Sequence, residues 1–289
     1  MTTSSHAETL LAQVEKSPAA VAVHDKTAWL AIFARYHIVE DPVGSSPHIG
    51  GLYDHKSGQR GDGALSRFFD TFIAPNNIRF EVKQDIVSGN HVVRDLSIHI
   101  TMSDKVQVQV PMHLLYELAE ENDEWRIVRL AAHWELMPMM GQLLGKGFAC
   151  LPVMASLTVR MLKLQGIAGT LGFSKAVLNI GKAGKKQALA FASAFNNKSL
   201  SSLMATCSSD AAMIQWPYDD EACSPSQLLE KLPGNIQLGK VMAAGDTVSA
   251  NITWQQEGSV KREGVAFFEF NRKTKKISAL RCYFSKIQG

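Results

Sequence analysis

The chain has 289 residues, 46% of them hydrophobic, with 30 Lys plus Arg against 27 Asp plus Glu and a formal net charge of +3. That length predicts two domains rather than one, and so small a charge excess, with no nucleic-acid-binding motif beside it, argues against a nucleic-acid partner. The four cysteines, Cys150, Cys207, Cys223 and Cys282, show neither a CxxC pair nor a Cys/His metal spacing, so no metal or other cofactor is expected.

Residues 1–8 are polar and lack both a basic stretch and an apolar core, which predicts no secretory signal and a cytoplasmic location. Apolar residues at helical spacing, Leu10, Leu11 and Val14 and then Trp29, Leu30, Ile32 and Phe33, predict helix over residues 7–33 with a break near Pro18. A short strand, residues 38–41, follows it. After a turn rich in Gly and Pro, the stripe Leu65, Phe68, Phe69 and Phe72 predicts a helix over residues 63–72. Alternation then predicts four antiparallel strands at 78–87, 91–102, 106–118 and 126–136, with turns at Ser88-Gly89-Asn90 and Ser103-Asp104.

The same order returns from about Lys185. Helices are predicted at 187–195 and 200–205, a strand at 211–216, a helix at 224–232, and strands at 237–243, 247–255, 260–270 and 277–285. Ile214-Gln215-Trp216-Pro217 parallels Val39-Glu40-Asp41-Pro42, and Ile277, Leu280, Cys282 and Phe284 fall at the spacing of Ile127, Leu130, Ala132 and Trp134. A tandem duplication is therefore predicted.

In that setting the run Val39-Glu40-Asp41-Pro42-Val43-Gly44-Ser45-Ser46-Pro47-His48-Ile49-Gly50 resembles the segment carrying the general base in the ketosteroid isomerase-like (SnoaL-like) branch of the nuclear transport factor 2-like superfamily. The resemblance covers residues 7–137, and the second half is similar in layout only. It implies an α+β fold of two cone-shaped domains, each a curved antiparallel sheet packed with helices around a mostly apolar cavity. It also implies association of two copies as a homodimer through the sheet faces.

The chemistry can be argued from the residues as well. Abstracting a proton beside a carbonyl needs a base within hydrogen-bond reach, and apolar walls make a carboxylate more basic. Pro42 and Gly44 would hold Asp41 at a strand end, although an Asp before Pro is also a plain turn former. In the family the aspartate works with an oxyanion hole made of a tyrosine and a protonated aspartate. The matching place for that tyrosine falls near Ser17, where this chain has none, and Phe33 and Phe69 stand where some relatives carry further tyrosines. The acidic donor falls near His113, or near Leu114 with a one-residue shift, and Trp134 matches a pocket tryptophan on the last strand. The resemblance thus implies catalytic roles for Asp41 and His113 and ligand contacts from Phe33, Phe69 and Trp134. His113 equally reads as an ordinary strand residue and Trp134 as core. Trp216 replaces the base in the second half, which argues against a second centre.

Residues 136–209 contain no Asp or Glu but eight basic side chains, Lys146, Arg160, Lys163, Lys175, Lys182, Lys185, Lys186 and Lys198. The apolar run over 147–159 is shorter than the roughly 20 residues that cross a bilayer. A helix over 153–164 is expected, either packed on a domain or lying at a membrane surface and weakly attracted to anionic lipid. The expected boundaries are a first domain at 1–140, a basic helical linker at 141–183 and a second domain at 184–289. The function expected is binding of a lipophilic, carbonyl-bearing small molecule, with isomerase-type proton transfer to Asp41; the alternative is a non-catalytic binding or dimerisation module.

Overall fold

The computed structural model describes residues 2–51, 53–54, 59–60, 63–209, 212–256 and 258–285. The chain divides into two compact units, residues 1–85 with 90–178 and residues 179–289 with 86–89.

The first unit opens with helices α1 (Thr2–Ala22) and α2 (Lys26–Ala31). α1 runs through Pro18 instead of breaking there. Leu10, Val14 and Val21 are all buried along it, and that packing outweighs the one backbone hydrogen bond a proline removes. The break comes after Ala22, where the Asp25 carboxylate caps α2 by accepting from the Ala28 N–H at 2.9 Å. Strand β1 (Phe33–Glu40) starts well before residue 38, so Phe33 is the first residue of a strand rather than the last of a helix. Short strands β2 (His48–Ile49), β3 (Tyr53–Asp54) and β4 (Gln59–Arg60) precede α3 (Gly63–Phe68), which continues as a π-helical turn over Phe69–Ile73.

Four long strands follow: β5 (Asn77–Ser88), β6 (His91–Ser103), β7 (Val106–Glu121) and β8 (Glu124–His133). With β1 and β2 they form a six-stranded sheet in the order β2-β1-β8-β7-β6-β5. β6, β7 and β8 pair antiparallel, and β1 closes onto β8 in parallel, which carries the end of β1 to the end of the sheet's last strand.

Three further helices belong to this unit, α4 (Leu136–Leu144), α5 (Cys150–Arg160) and α6 (Gly166–Ser174), with a π-helical turn at Met161–Gln165. The helical run Gly147–Val177 is 31 residues long and apolar enough, by length and composition, to cross a membrane, and only 17% of its most apolar window is buried. It is thus longer than the run of 147–159 that sequence alone delimits, because helix continues past Arg160.

The second unit contains α7 (Gly181–Asn196), α8 (Leu200–Thr206), β9 (Met213–Gln215), α9 (Pro225–Lys231) and strands β10 (Asn235–Ala244), β11 (Thr247–Gln255), β12 (Arg262–Asn271) and β13 (Lys276–Phe284). Ala211, expected to start β9, lies outside the described residues. The sheet order is β10-β11-β12-β13-β9, with β9 parallel to β13. α9 begins with a capping box in which Ser224 and Gln227 satisfy each other's backbone N–H groups.

The two units share a register. Val39 and Glu40 lie beside Leu130 and Ala131, as Ile214 and Gln215 lie beside Leu280 and Arg281. Two residues beyond Asp41, the Val43 N–H donates to the Ala132 carbonyl at 2.9 Å; two beyond Trp216, the Tyr218 N–H donates to Cys282 at 2.8 Å. Both Asp41-Pro42 and Trp216-Pro217 are cis peptides.

Candidate functional site

Asp41 leaves the sheet immediately after β1. Its position is set by the parallel pairing behind it and by a tight turn in front, where the Ser45 N–H donates to the Pro42 carbonyl at 3.0 Å and Gly44 has a φ of +94°. The indole N–H of Trp134, just past β8, donates to Asp41 Oδ1 at 2.6 Å. Asp41 and Trp134 both line a cavity of about 160 Å³. The walls are otherwise mainly apolar: Val110, Met112 and Leu114 from β7, Phe68 and Phe72 from α3 and its continuation, and Val153, Leu157 and Phe173 from α5 and α6.

These surroundings set the protonation of Asp41. Loss of hydration in the apolar wall raises its pKa from 3.8 to about 6, against the Trp134 hydrogen bond, which lowers it. Taken as a whole residue, Asp41 is half-buried. Tyr116, on β7, belongs to the same lining. Burial pushes the Tyr116 pKa up to about 12, outweighing the Arg94 charge that favours the phenolate, so the phenol stays a neutral donor. A side-chain hydrogen bond joins Tyr116 to Ser17, and Ser17 Oγ also accepts from the Trp29 indole at 3.1 Å.

Of the residues singled out from sequence, the cavity brings together Asp41 and Trp134 and leaves out the other three. His113 lies on the opposite face of β7, because the alternating positions Val110, Met112, Leu114 and Tyr116 are the ones turned into the cavity. Its Nε2 is instead 3.8 Å from Asp95 Oδ1 on β6, its register partner. Of the two placements near the family's acidic donor, it is Leu114 that faces the cavity. Phe33 packs its ring on Trp29 at 5.2 Å and on His37 at 5.3 Å, and Phe69 packs on Trp29 at 5.5 Å. Both therefore stand behind the wall that Trp29 helps to form. Phe68 and Phe72, one helical turn apart, occupy the cavity side of that helix instead. Tyr116 was legible only as one member of an alternating apolar strand; nothing local marked it as a partner of Asp41.

Helices α5 and α6 close one side of the cavity. Arg160 Nε donates to the Thr71 carbonyl at 3.3 Å and Gln165 Nε2 to Thr71 Oγ1 at 3.2 Å. Phe173 stacks on Phe72 at 5.2 Å, and the Ser46 N–H donates to the Gly172 carbonyl at 3.0 Å. A Cβ on Gly172 would come within 2.8 Å of the Ser46 side chain, so α6 sits directly on the loop that follows Asp41. Among the described residues, no group of three His, Cys, Asp or Glu side chains is placed to hold a metal ion.

No protein-family profile matches the chain, and no curated protein matches it. Among solved structures it is similar to the delta 5-3-ketosteroid isomerase of Mycobacterium sp., at 26% identity and a TM-score of 0.37 over 45% of this chain and 95% of that one. A Mycobacterium tuberculosis protein in complex with estradiol-17beta-hemisuccinate is similar to the same extent: 26% identity, TM-score 0.37, 45% of this chain and 95% of that one. An LEH-like epoxide hydrolase of M. tuberculosis matches at 16% identity and a TM-score of 0.39, over 51% of this chain and 98% of the hydrolase. In each case the likeness spans about one domain's length.

Proposed function

We propose that the first unit binds a lipophilic carbonyl compound and transfers a proton from the carbon beside its carbonyl, with Asp41 as the base. The observation that carries this reading is the placement of Asp41, its pKa raised to about 6, in the wall of one apolar cavity that Tyr116, a neutral phenol, also lines. Above about pH 6 the carboxylate is ionised yet poorly hydrated, the condition that makes a carboxylate an effective base. Trp134 occupies Oδ1, which leaves Oδ2 to take the proton. As the C–H bond breaks, its electron pair moves to the carbonyl oxygen, where the Tyr116 O–H can donate to the developing oxyanion. Where a carbon–carbon double bond lies β,γ to the carbonyl, the enolate is a dienolate, and Asp41 can return the proton to its γ carbon, which leaves the double bond conjugated with the re-formed carbonyl; without that double bond the proton returns to the α carbon and the step is exchange alone. A cavity of about 160 Å³ suits a compact ligand, since sites for drug-sized molecules usually span about 300–1,000 Å³.

That small volume, together with a carboxylate already engaged by Trp134, is what favours the second reading, a non-catalytic binding site. Exchange of α-protons into heavy water, followed by NMR on a panel of lipophilic ketones, separates the two. As a base, Asp41 should accelerate exchange, and Asp41→Asn should cut the rate by about 10²–10⁴-fold while ligand shifts on binding persist. Binding without accelerated exchange for any ketone of the panel would leave the site as a binding pocket.

A further inference from the structure

The helices that wall the cavity have a second face, which is exposed. On the 3-10 turn Gly147–Ala149 before α5, along α5 and on the π-helical turn after it, Phe148, Leu151, Ala155, Val159 and Leu162 are exposed at spacings of three and four, one stripe of a helical run. Gly166, at a φ of +71°, starts α6, where Ile167 and Leu171 continue the exposed series, and Leu178 is exposed beyond the end of that helix. Phe148 is 90% exposed and Ile167 is 72% exposed, values unusual for large apolar side chains gathered on one surface. Lys163 and Lys175 are exposed beside them, Lys146 precedes them, and no acidic residue occurs anywhere from 136 to 209.

The geometry points to this surface as a docking face for an anionic lipid bilayer, with the helices lying in the membrane surface and not crossing it. Charge and shape select that partner together. An apolar stripe edged by lysines and free of carboxylates matches the acyl-headgroup boundary of a negatively charged leaflet, where apolar side chains enter the acyl region and lysines stay with the phosphates. Although the run is long enough to cross, its opposite face is committed: Arg160 and Gln165 bond to Thr71, and Val153, Leu157 and Phe173 wall the cavity. Spanning would strip those contacts and place Arg160 and Lys163 in hydrocarbon. Docking is independent of the ligand reading above, because it requires no ligand.

The experiment is co-sedimentation of the full chain, without ligand, with vesicles of phosphatidylcholine alone and of mixed phosphatidylserine and phosphatidylcholine. Binding is expected to the mixed vesicles, to weaken as salt rises, and to be reversed by alkaline carbonate. Phe148→Glu with Ile167→Glu should abolish it, and Lys163→Glu with Lys175→Glu should weaken it by roughly fivefold per lysine or more. These side chains are exposed, and matching circular dichroism and melting curves would show that the variants fold. Absence of binding at low salt overturns the proposal, as does unchanged binding by Phe148→Glu with Ile167→Glu. Salt-independent binding to both vesicle types that survives carbonate overturns it in favour of insertion.

Discussion

The two units place different chemistry on the same frame. In the first, the position after the parallel strand pair holds Asp41, and the residue facing it from the end of the last strand is Trp134, bonded to it through the indole N–H. In the second, the same two positions hold Trp216 and Phe284, whose rings meet at 5.6 Å. Trp216 also stacks on Phe195 at 5.8 Å and meets Trp254 edge-on at 6.3 Å, and its own indole N–H finds no hydrogen-bond partner among the described residues. A carboxylate needs a cavity and a donor; an indole at that position supplies its own filling and needs neither. The comparison sets a carboxylate beside a cavity in one unit against an indole packed among rings in the other.

A first way to break this contrast is to remove the outer wall of the cavity. The sequence pattern proposes a first domain ending at residue 140, whereas packing extends the unit to residue 178. Leu143, Cys150, Met161 and Ala176 are buried beyond residue 140. At about 1.5–3 kcal/mol for each large apolar side chain, losing that packing should cost on the order of 5 kcal/mol. Residues 1–178 should therefore unfold cooperatively in urea while residues 1–140 do so at much lower denaturant or without a transition; equal midpoints would return the boundary to 140.

Trp216 should be the costlier residue to delete. Trp216→Ala is expected to destabilise the chain by about 3–5 kcal/mol, whereas Trp216→Phe, which gives up an N–H with no partner, should cost less than about 1.5 kcal/mol. Chemical denaturation of the two variants side by side measures the difference, and an equal loss in both would mean the N–H is used.

Asp41 should behave in the opposite sense. Because its folded pKa is raised, the folded state holds the proton between about pH 4 and pH 6 after the unfolded chain has lost it, so this group's contribution to stability falls as pH rises through that window. Asp41→Asn should then stabilise the protein by roughly 2–3 kcal/mol at pH 7 and change it little at pH 3.5. Melting curves across that range check the sign. A loss of stability at pH 7 would show that the carboxylate is satisfied in its place.

The smallest effect concerns the indole bond. Trp134→Phe removes the donor that favours the carboxylate, so the Asp41 pKa should climb further above about 6, and any exchange activity should need a higher pH for its half-maximal rate. NMR titration of the Asp41 side chain reads the shift directly; an unchanged or lower pKa would mean that burial alone controls it.

Much of this was determined by sequence alone. Alternation over β5 to β8, the second copy of the same order, and a carboxylate before proline where the repeat carries Trp216 are local patterns, set by the two- and 3.6-residue periods of strand and helix. Tertiary structure decided what local pattern leaves degenerate. His113 and Leu114 are equally good strand residues, and only pairing with β6 and β8 turns Leu114 and Tyr116 inward and His113 away. Phe68, Phe69 and Phe72 share one apolar stripe, and only the elements packed on each side make Phe68 and Phe72 cavity wall and Phe69 core. Likewise the acid-free segment announced its charge, but its packing against Thr71, Ser46 and Phe72 is a long-range event of about 90 to 130 residues' separation, which no window of sequence can register.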